Sequence, residues 1–124
     1  MRIRWFAPLL EKPLGTTQFV RKIFPDAQFR LVHQTIHPTK IVRTIQFELN
    51  GQVIARGRSE VDVLPTAPQA LGAIRTGKLP LGIIAQRFKV KRSRMHTTTR
   101  TRSFKMTGDI HAKIWERFYL ARAK

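Results

Sequence analysis

Cysteine is absent from this chain of 124 residues, and acidic residues are scarce, with 7 Asp and Glu against 24 Lys and Arg. The lack of cysteine excludes disulfides, thiolate nucleophiles and cysteine-containing zinc sites, and it fits a reducing compartment. No apolar run is long enough for a signal peptide or a membrane span. We therefore expect a soluble, cytoplasmic protein.

The length and composition predict a single domain. A chain of this size, with 42% hydrophobic residues, can bury an ordinary core. No repeat and no low-complexity linker divides it. We expect one domain over residues 1–124.

The formal net charge of +17 attracts anions. Basic residues are densest in the segment 87–105, which could bind the phosphates of a nucleic acid. No zinc-finger spacing, helix-turn-helix or aromatic RNA-recognition motif accompanies this segment. We expect a solvated hairpin face that steers small anions inward, with nucleic-acid binding as an alternative.

Turn residues and side-chain alternation predict an α+β fold, in which a few helices flank a mostly antiparallel sheet. Asn50-Gly51 is the strongest hairpin signal, and it separates predicted strands at about 40–49 and 52–63. Further strands are predicted at about 28–36, 88–97, 99–106 and 110–120. Helices are predicted at about 17–24, 68–76 and 80–86.

An arginine interrupts the apolar face of the first hairpin strand, because Arg43 shares its face with Ile41, Ile45, Phe47 and Leu49. If Asn50-Gly51 is the whole loop, Arg43 lies directly opposite Arg58. Arg56 and Glu60 then join the same patch. Opposed like charges destabilise a sheet, so the arrangement indicates an anion site. The alternative is that the arginine heads reach water or are neutralised by Glu60 or Glu116.

Glu116 interrupts a second apolar face, that of the last strand. The other even positions of this strand are apolar: Ile110, Ala112, Ile114, Phe118 and Leu120. A carboxylate that faces a core is paired with a cation or perturbed by desolvation, and both conditions are common at functional sites. Together with the arginine pair, Glu116 predicts an interior cavity for a small, anionic, oxygen-rich ligand.

The segment Leu79-Pro80-Leu81-Gly82 offers two backbone donors. With proline at the start of a short helix, the N–H groups of Leu81 and Gly82 lack an intrahelical acceptor and suit a carboxylate. A plain turn is an equally good interpretation of this segment.

Several short motifs resemble the chorismate pyruvate-lyase family in their order and spacing. They are Gly51 with Ala55-Arg56-Gly57-Arg58, the run from Ile74 to Gly82, Thr107-Gly108, and Trp115-Glu116-Arg117-Phe118. The resemblance covers about residues 12–121. It implies an antiparallel sheet flanked by helices that enclose a product cavity. It also implies conversion of chorismate to 4-hydroxybenzoate and pyruvate without metal or cofactor, as in the biosynthesis of ubiquinone or a related quinone.

The resemblance also implies roles for single residues. Arg43 and the backbone N–H of Leu81 would hold the ring carboxylate, and Glu116 would face the ring hydroxyl as a general base or an orienting group. Arg58 would lie near the enolpyruvyl carboxylate, and the backbone of Thr16 would touch the ligand. His33, His37, His96 and His111 are alternatives for proton transfer.

The chain departs from the family pattern in being far more basic and in lacking much of the N-terminal extension typical of members. These departures are compatible with a more open site or with a different hydroxybenzoate product. They are also compatible with a domain that binds a small aromatic acid without turning it over.

Overall fold

The structure is a computed structural model that describes residues 1–122 of the chain. Its elements, in chain order, are β1 Arg2–Ile3, α1 Ala7–Glu11, α2 Thr16–Ile23, β2 Gln28–Ile36, β3 Lys40–Leu49, β4 Gln52–Asp62, α3 Pro68–Arg75, α4 Leu81–Gln86, β5 Val90–Thr97, β6 Thr101–Gly108, β7 Ala112–Phe118 and β8 Ala121–Arg122.

Six strands form one antiparallel sheet in the order β2-β3-β4-β7-β6-β5, and β1 pairs with β8 in a separate ribbon. The predicted α+β class, with a mostly antiparallel sheet and a few helices, is confirmed. Within residues 1–122, no helix has the length and apolar character that crossing a membrane requires.

The helices pack on one face of the six-stranded sheet and bury two hydrophobic clusters against it. One cluster joins α3 and α4 to the strands through residues such as Ile74, Ile84 and Ile114. The other joins α1 and α2 to the strands through residues such as Leu9, Val20 and Phe118. We call this covered side the inner face. On the opposite, outer face lie exposed side chains such as Trp115.

The β3–β4 hairpin has the predicted turn but not the predicted register. Asn50 and Gly51 adopt positive φ angles of 52° and 78°, as a two-residue hairpin loop requires. Beyond the turn, Glu48 pairs with Val53 and Phe47 with Ala55, so Ile54 is an extra, bulged residue. The prediction that Arg43 lies opposite Arg58 is therefore wrong, because the bulge moves every later pair by one residue. Arg43 pairs with Ser59.

The bulge also reverses the predicted grouping of charges on β4. Ala55, Gly57, Ser59 and Val61 share the inner face with Arg43. Arg56, Arg58 and Glu60 therefore lie on the outer face, not in one patch with Arg43 as predicted. Burial explains the choice, because this register places Ile54, Ala55 and Val61 in the core, each at most 2% exposed.

The sequence patterns did not predict β1, α1 or β8, which are only two to five residues long. Apolar packing holds this region together. Trp5 stacks or makes edge contacts with the rings of Phe6, Phe19, Phe24 and Phe118. The indole N–H of Trp5 donates to the Tyr119 carbonyl at 2.8 Å.

Candidate functional site

A cavity of about 60 Å³ lies between the inner face of the sheet and the first turns of α2 and α4. Gly57 and Ser59 on β4 leave this space open because neither has a large side chain. The residues around it that carry polar or charged groups include Thr16, Arg43, Leu81 with its backbone N–H, Arg92 and Glu116. Arg43, Leu81, Glu116 and Thr16, all predicted from the sequence, therefore line one cavity.

Arg43 is a buried cation whose hydrogen-bond partners in the described part of the chain are all neutral. Its side chain is 2% exposed, and it donates to the Gln34 side chain at 2.9 Å and to the carbonyls of Leu79 and Ile74 at 2.8 and 2.7 Å. No ion pair within residues 1–122 includes it. These bonds use three of the five guanidinium N–H groups. Burial lowers the pKa of Arg43 to about 10, so the group is still charged at neutral pH.

The start of α4 supplies backbone donors that lack an intrahelical acceptor and line the cavity together with Arg43. Ile83 and Ile84 donate to the Pro80 carbonyl, which leaves the N–H groups of Leu81 and Gly82 without an intrahelical acceptor. Leu79, whose carbonyl holds Arg43, directly precedes this helix start. Arg43 and Leu81 thus line the same cavity, and their joint binding of a carboxylate stays a prediction.

Glu116 faces the cavity as predicted, and its partner is Arg102. The Nε of Arg102 donates to a Glu116 carboxylate oxygen at 2.6 Å. The remaining donors of Arg102 contact the carbonyls of Leu9, Lys12 and Leu14 and the hydroxyl of Thr16. Arg102 is 2% exposed. Arg102 therefore links the α1–α2 connection to the sheet by hydrogen bonds, and Glu116 balances the charge of Arg102.

Arg102 corrects the interpretation of the segment 87–105 as a solvated basic face. Arg102, Phe104 and Met106 alternate inward along β6, and all three are buried. This alternation is present in the sequence, but Arg102 was not distinguished there from the basic residues around it.

The guanidinium of Arg58 points away from the cavity. Its guanidinium carbon lies 5.9 Å from the ring centre of Trp115, and one guanidinium nitrogen lies 3.7 Å from Glu60. Both of these partners are on the outer face. Residue 58 borders the cavity, but its side chain is 57% exposed. Its proposed role at the second carboxylate stays a prediction, and this geometry does not favour it.

Arg92 was not singled out in the sequence, yet it also borders the cavity. It pairs with Met106 across the β5–β6 hairpin, and its guanidinium carbon lies 5.9 Å from the Phe104 ring centre. Its buried Nε has no hydrogen-bond partner among residues 1–122. Burial and, to a lesser degree, the charge of Arg102 lower the pKa of Arg92, and Glu116 opposes them.

The outer face carries a second, more open concavity of about 530 Å³. Arg56, Arg58, Arg117, His96 and Trp115 are among the residues around it. The cations here are largely exposed, so water screens their effect on a small ligand. The inner cavity is the better candidate for binding a small molecule, because its charges are desolvated.

Compared with known proteins, the chain matches no family model and no curated protein.

Proposed function

We propose that this chain is a lyase that converts chorismate to 4-hydroxybenzoate, or a related hydroxybenzoate, and pyruvate without a cofactor. One observation carries the proposal: Arg43 is a buried guanidinium that has no acidic partner among residues 1–122 and lines the same cavity as Leu81 and Glu116. Burying an unpaired charge is unfavourable. An anionic ligand would provide the missing partner.

The ring carboxylate of chorismate would bind the two unused N–H groups of Arg43 together with the Leu81 N–H. Charge-assisted bonds of this kind hold a ligand in one orientation. In the reaction, the ring carbon that bears the hydroxyl loses its proton, and the bond between the ring and the ether oxygen breaks. Enolpyruvate leaves, gains a proton and becomes pyruvate. The ring becomes aromatic, so positioning and electrostatic stabilisation can account for much of the acceleration.

Glu116 is the residue from which we expect proton transfer or orientation of the ring hydroxyl. One of its oxygens accepts a short bond from Arg102, which fixes the direction of the carboxylate. The second oxygen is available to a ligand, and a fixed carboxylate is a suitable acceptor for a ring hydroxyl or a ring proton. None of the four histidines of the chain borders the cavity, so the alternative of histidine-mediated proton transfer has no geometric support.

The size of the cavity sets a condition on ligand binding. Its volume of about 60 Å³ is smaller than the cavity of about 150 Å³ that holds benzene in an engineered protein. An aromatic acid would fit only if the cavity widened. The covering elements are the first turns of α2 and α4, which also contact each other, so these two helices would have to separate on binding.

The test is to incubate the purified protein with chorismate and to measure hydroxybenzoate and pyruvate by chromatography that separates the 3- and 4-hydroxy isomers. We expect equal amounts of the two products. Arg43→Ala and Arg43→Lys should lower the rate at least a hundredfold, since neither restores the planar pair of donors. Persistence of chorismate with the folded native protein would overturn the proposal.

Arg21→Ala is a matched control for the Arg43 variants. It removes the same charge from the chain, but Arg21 is an exposed residue near the end of α2. We expect its rate to equal that of the native protein. If Arg21→Ala and Arg43→Ala lowered the rate equally, the effect would come from overall charge and not from the cavity.

A second candidate function is binding of an aromatic acid without turnover. The Arg102–Glu116 pair favours it, because a carboxylate that balances a buried cation has a structural role without catalysis. A binding domain would retain affinity for 4-hydroxybenzoate in the Glu116→Gln variant and would leave chorismate intact. The nucleic-acid alternative depends on the outer face and predicts binding that weakens steeply with salt, regardless of Arg43.

A further inference from the structure

We propose that Arg92 forms a second carboxylate-binding subsite of the cavity, which selects dicarboxylate ligands over monocarboxylates. This inference rests on the proposed function, because it concerns the same cavity. The second carboxylate of the ligand would then bind Arg92 on β5 and not Arg58 on β4, where the family resemblance placed it.

Arg43 and Arg92, which line the cavity, and Arg102, which holds the Glu116 carboxylate, differ in how fully their donors are used. Arg102 has all five guanidinium N–H groups in hydrogen bonds, and one of these bonds is to a carboxylate. Arg43 has bonds to neutral groups only. The Nε of Arg92 is buried and has no partner among residues 1–122. A buried donor without an acceptor is unfavourable. Of these three arginines, Arg92 would therefore gain the most from binding an anion.

The charge around the cavity supports a ligand with two negative charges. The ion pair between Arg102 and Glu116 is neutral overall, which leaves the charges of Arg43 and Arg92, a total of +2, for a ligand to balance. A monocarboxylate that bound Arg43 would leave Arg92 unpaired. A dicarboxylate would neutralise both groups, provided that its two carboxylates can reach different sides of the cavity.

Arg43 and Arg92 line the same cavity from widely separated strands of the sheet. Arg43 is on β3 and Arg92 is on β5, and three strands lie between them in the sheet order. Phe104, Met106 and Ile114 lie on this intervening surface and border the cavity. An apolar floor with a cation at each side matches a ring that carries one carboxylate directly and a second on a short side arm.

β5 is one of the two edge strands of the sheet, and Arg92 is partly exposed. Its guanidinium has contact with the Phe104 ring on one side. This position allows Arg92 to bind the more distal carboxylate, while the ring carboxylate lies deeper, at Arg43. Arg58 is a poorer second cation, because its guanidinium lies against Trp115 on the other face of the sheet.

The experiment uses two matched probes, 3-(carboxymethoxy)benzoate and 3-methoxybenzoate, which differ by one carboxylate. Their dissociation constants are measured by titration calorimetry with the native protein and with Arg92→Ala, Arg92→Lys, Arg58→Ala and Lys91→Ala. Lys91→Ala is the control for charge, since Lys91 adjoins Arg92 in sequence but is exposed. We expect the native protein to prefer the dicarboxylate at least about tenfold.

Arg92→Ala should abolish this preference while leaving the affinity for 3-methoxybenzoate within about twofold, and Arg92→Lys should restore part of it. Lys91→Ala and Arg58→Ala should retain the preference. The inference is overturned if the native protein binds 3-methoxybenzoate but shows no preference, or if Arg58→Ala abolishes the preference and Arg92→Ala does not. If the native protein bound neither probe, the cavity would be rejected as a binding site for aromatic acids, and the proposed function would be rejected with it.

Discussion

The ion pair between Arg102 and Glu116 makes a strong prediction about stability. Arg102→Met replaces an arginine that is 2% exposed with an uncharged, unbranched side chain. It removes the donors to Glu116 and to three backbone carbonyls. It leaves the Glu116 carboxylate, whose side chain is 10% exposed, without its cation. Removing one member of a buried pair typically costs about 3–5 kcal/mol. That is a large part of the roughly 5–15 kcal/mol by which domains are stable.

Glu116→Gln should have a smaller effect, about 1–3 kcal/mol, because a glutamine oxygen can still accept the bond from Arg102 although the charge is lost. Glu60→Gln is the matched control. Glu60 lies 3.6 Å from Lys40 and 3.7 Å from Arg58, in pairs whose cations are about half exposed. Ion pairs of this kind contribute about 0–1 kcal/mol.

Urea denaturation followed by far-ultraviolet circular dichroism measures the free energy of unfolding of each variant. The double variant Arg102→Met with Glu116→Gln should be less destabilised than the sum of the single variants, because the two residues stabilise each other. Additive effects, or a Glu116→Gln variant as stable as Glu60→Gln, would refute the assignment of Glu116 as the counter-charge of Arg102.

Three further predictions concern packing, the N-terminal region and pH. Gly108→Ala should lower the free energy of unfolding by about 1–3 kcal/mol, because Gly108 has a φ of 99° and a Cβ would lie 2.3 Å from the Lys89 carbonyl oxygen. Gly72→Ala is the control. It should not be destabilising, because a Cβ at this position on α3 would lie in open space. Trp5→Phe should cost about 1–2 kcal/mol in urea denaturation, since it leaves the Tyr119 carbonyl without the indole donor, and an unchanged midpoint would contradict this role. The rate of chorismate turnover should be constant between pH 6 and 9, because Arg43, with a pKa of about 10, stays charged. A change in this rate centred near pH 6.5 would instead implicate a histidine.

The class of the fold and the orientation of Glu116 were predictable because both depend on local alternation. A strand with one buried face shows that face in every second residue, and the inward positions of β7 from Ala112 to Phe118 follow this rule. The bounds of β2 and β3 also agree with the prediction. Contacts within a strand or a hairpin leave a signal in the sequence at short range.

The register of the β3–β4 hairpin was mispredicted because the turn alone does not determine it. The two-residue loop is correct, but Ile54 forms a bulge a few residues later. The sequence of β4 held the missing signal. Its positions 55, 57, 59 and 61 are small or apolar, while 56, 58, 60 and 62 are charged. This alternation conflicts with the register that places Arg58 on the apolar face.

The burial of Arg102 was not predictable from local patterns, although its pairing with Glu116 is a cross-strand contact between residues only 14 positions apart. Arg102 lies in a run of basic residues, and the acceptors that bury it are 86 to 93 residues away along the chain. No turn or periodicity specifies a contact of that span. Arg92 was missed for a related reason, since its distinguishing property is an unmet hydrogen bond that exists only in the folded structure.

The place of β7 in the sheet has a consequence for how the chain folds. β7 is the last strand of the large sheet in sequence, yet it lies between β4 and β6. The hairpins β3–β4 and β5–β6 can each form early from local pairing, but they do not pair with each other. In the sheet they are joined only through β7, which pairs with both β4 and β6, so we expect the cavity to assemble after β7 has been made. During synthesis, we therefore expect the β3–β4 hairpin and the strongly basic β5–β6 hairpin to stay unassembled until residue 118 has been added. Substitutions in β7 should slow folding more than those in β5.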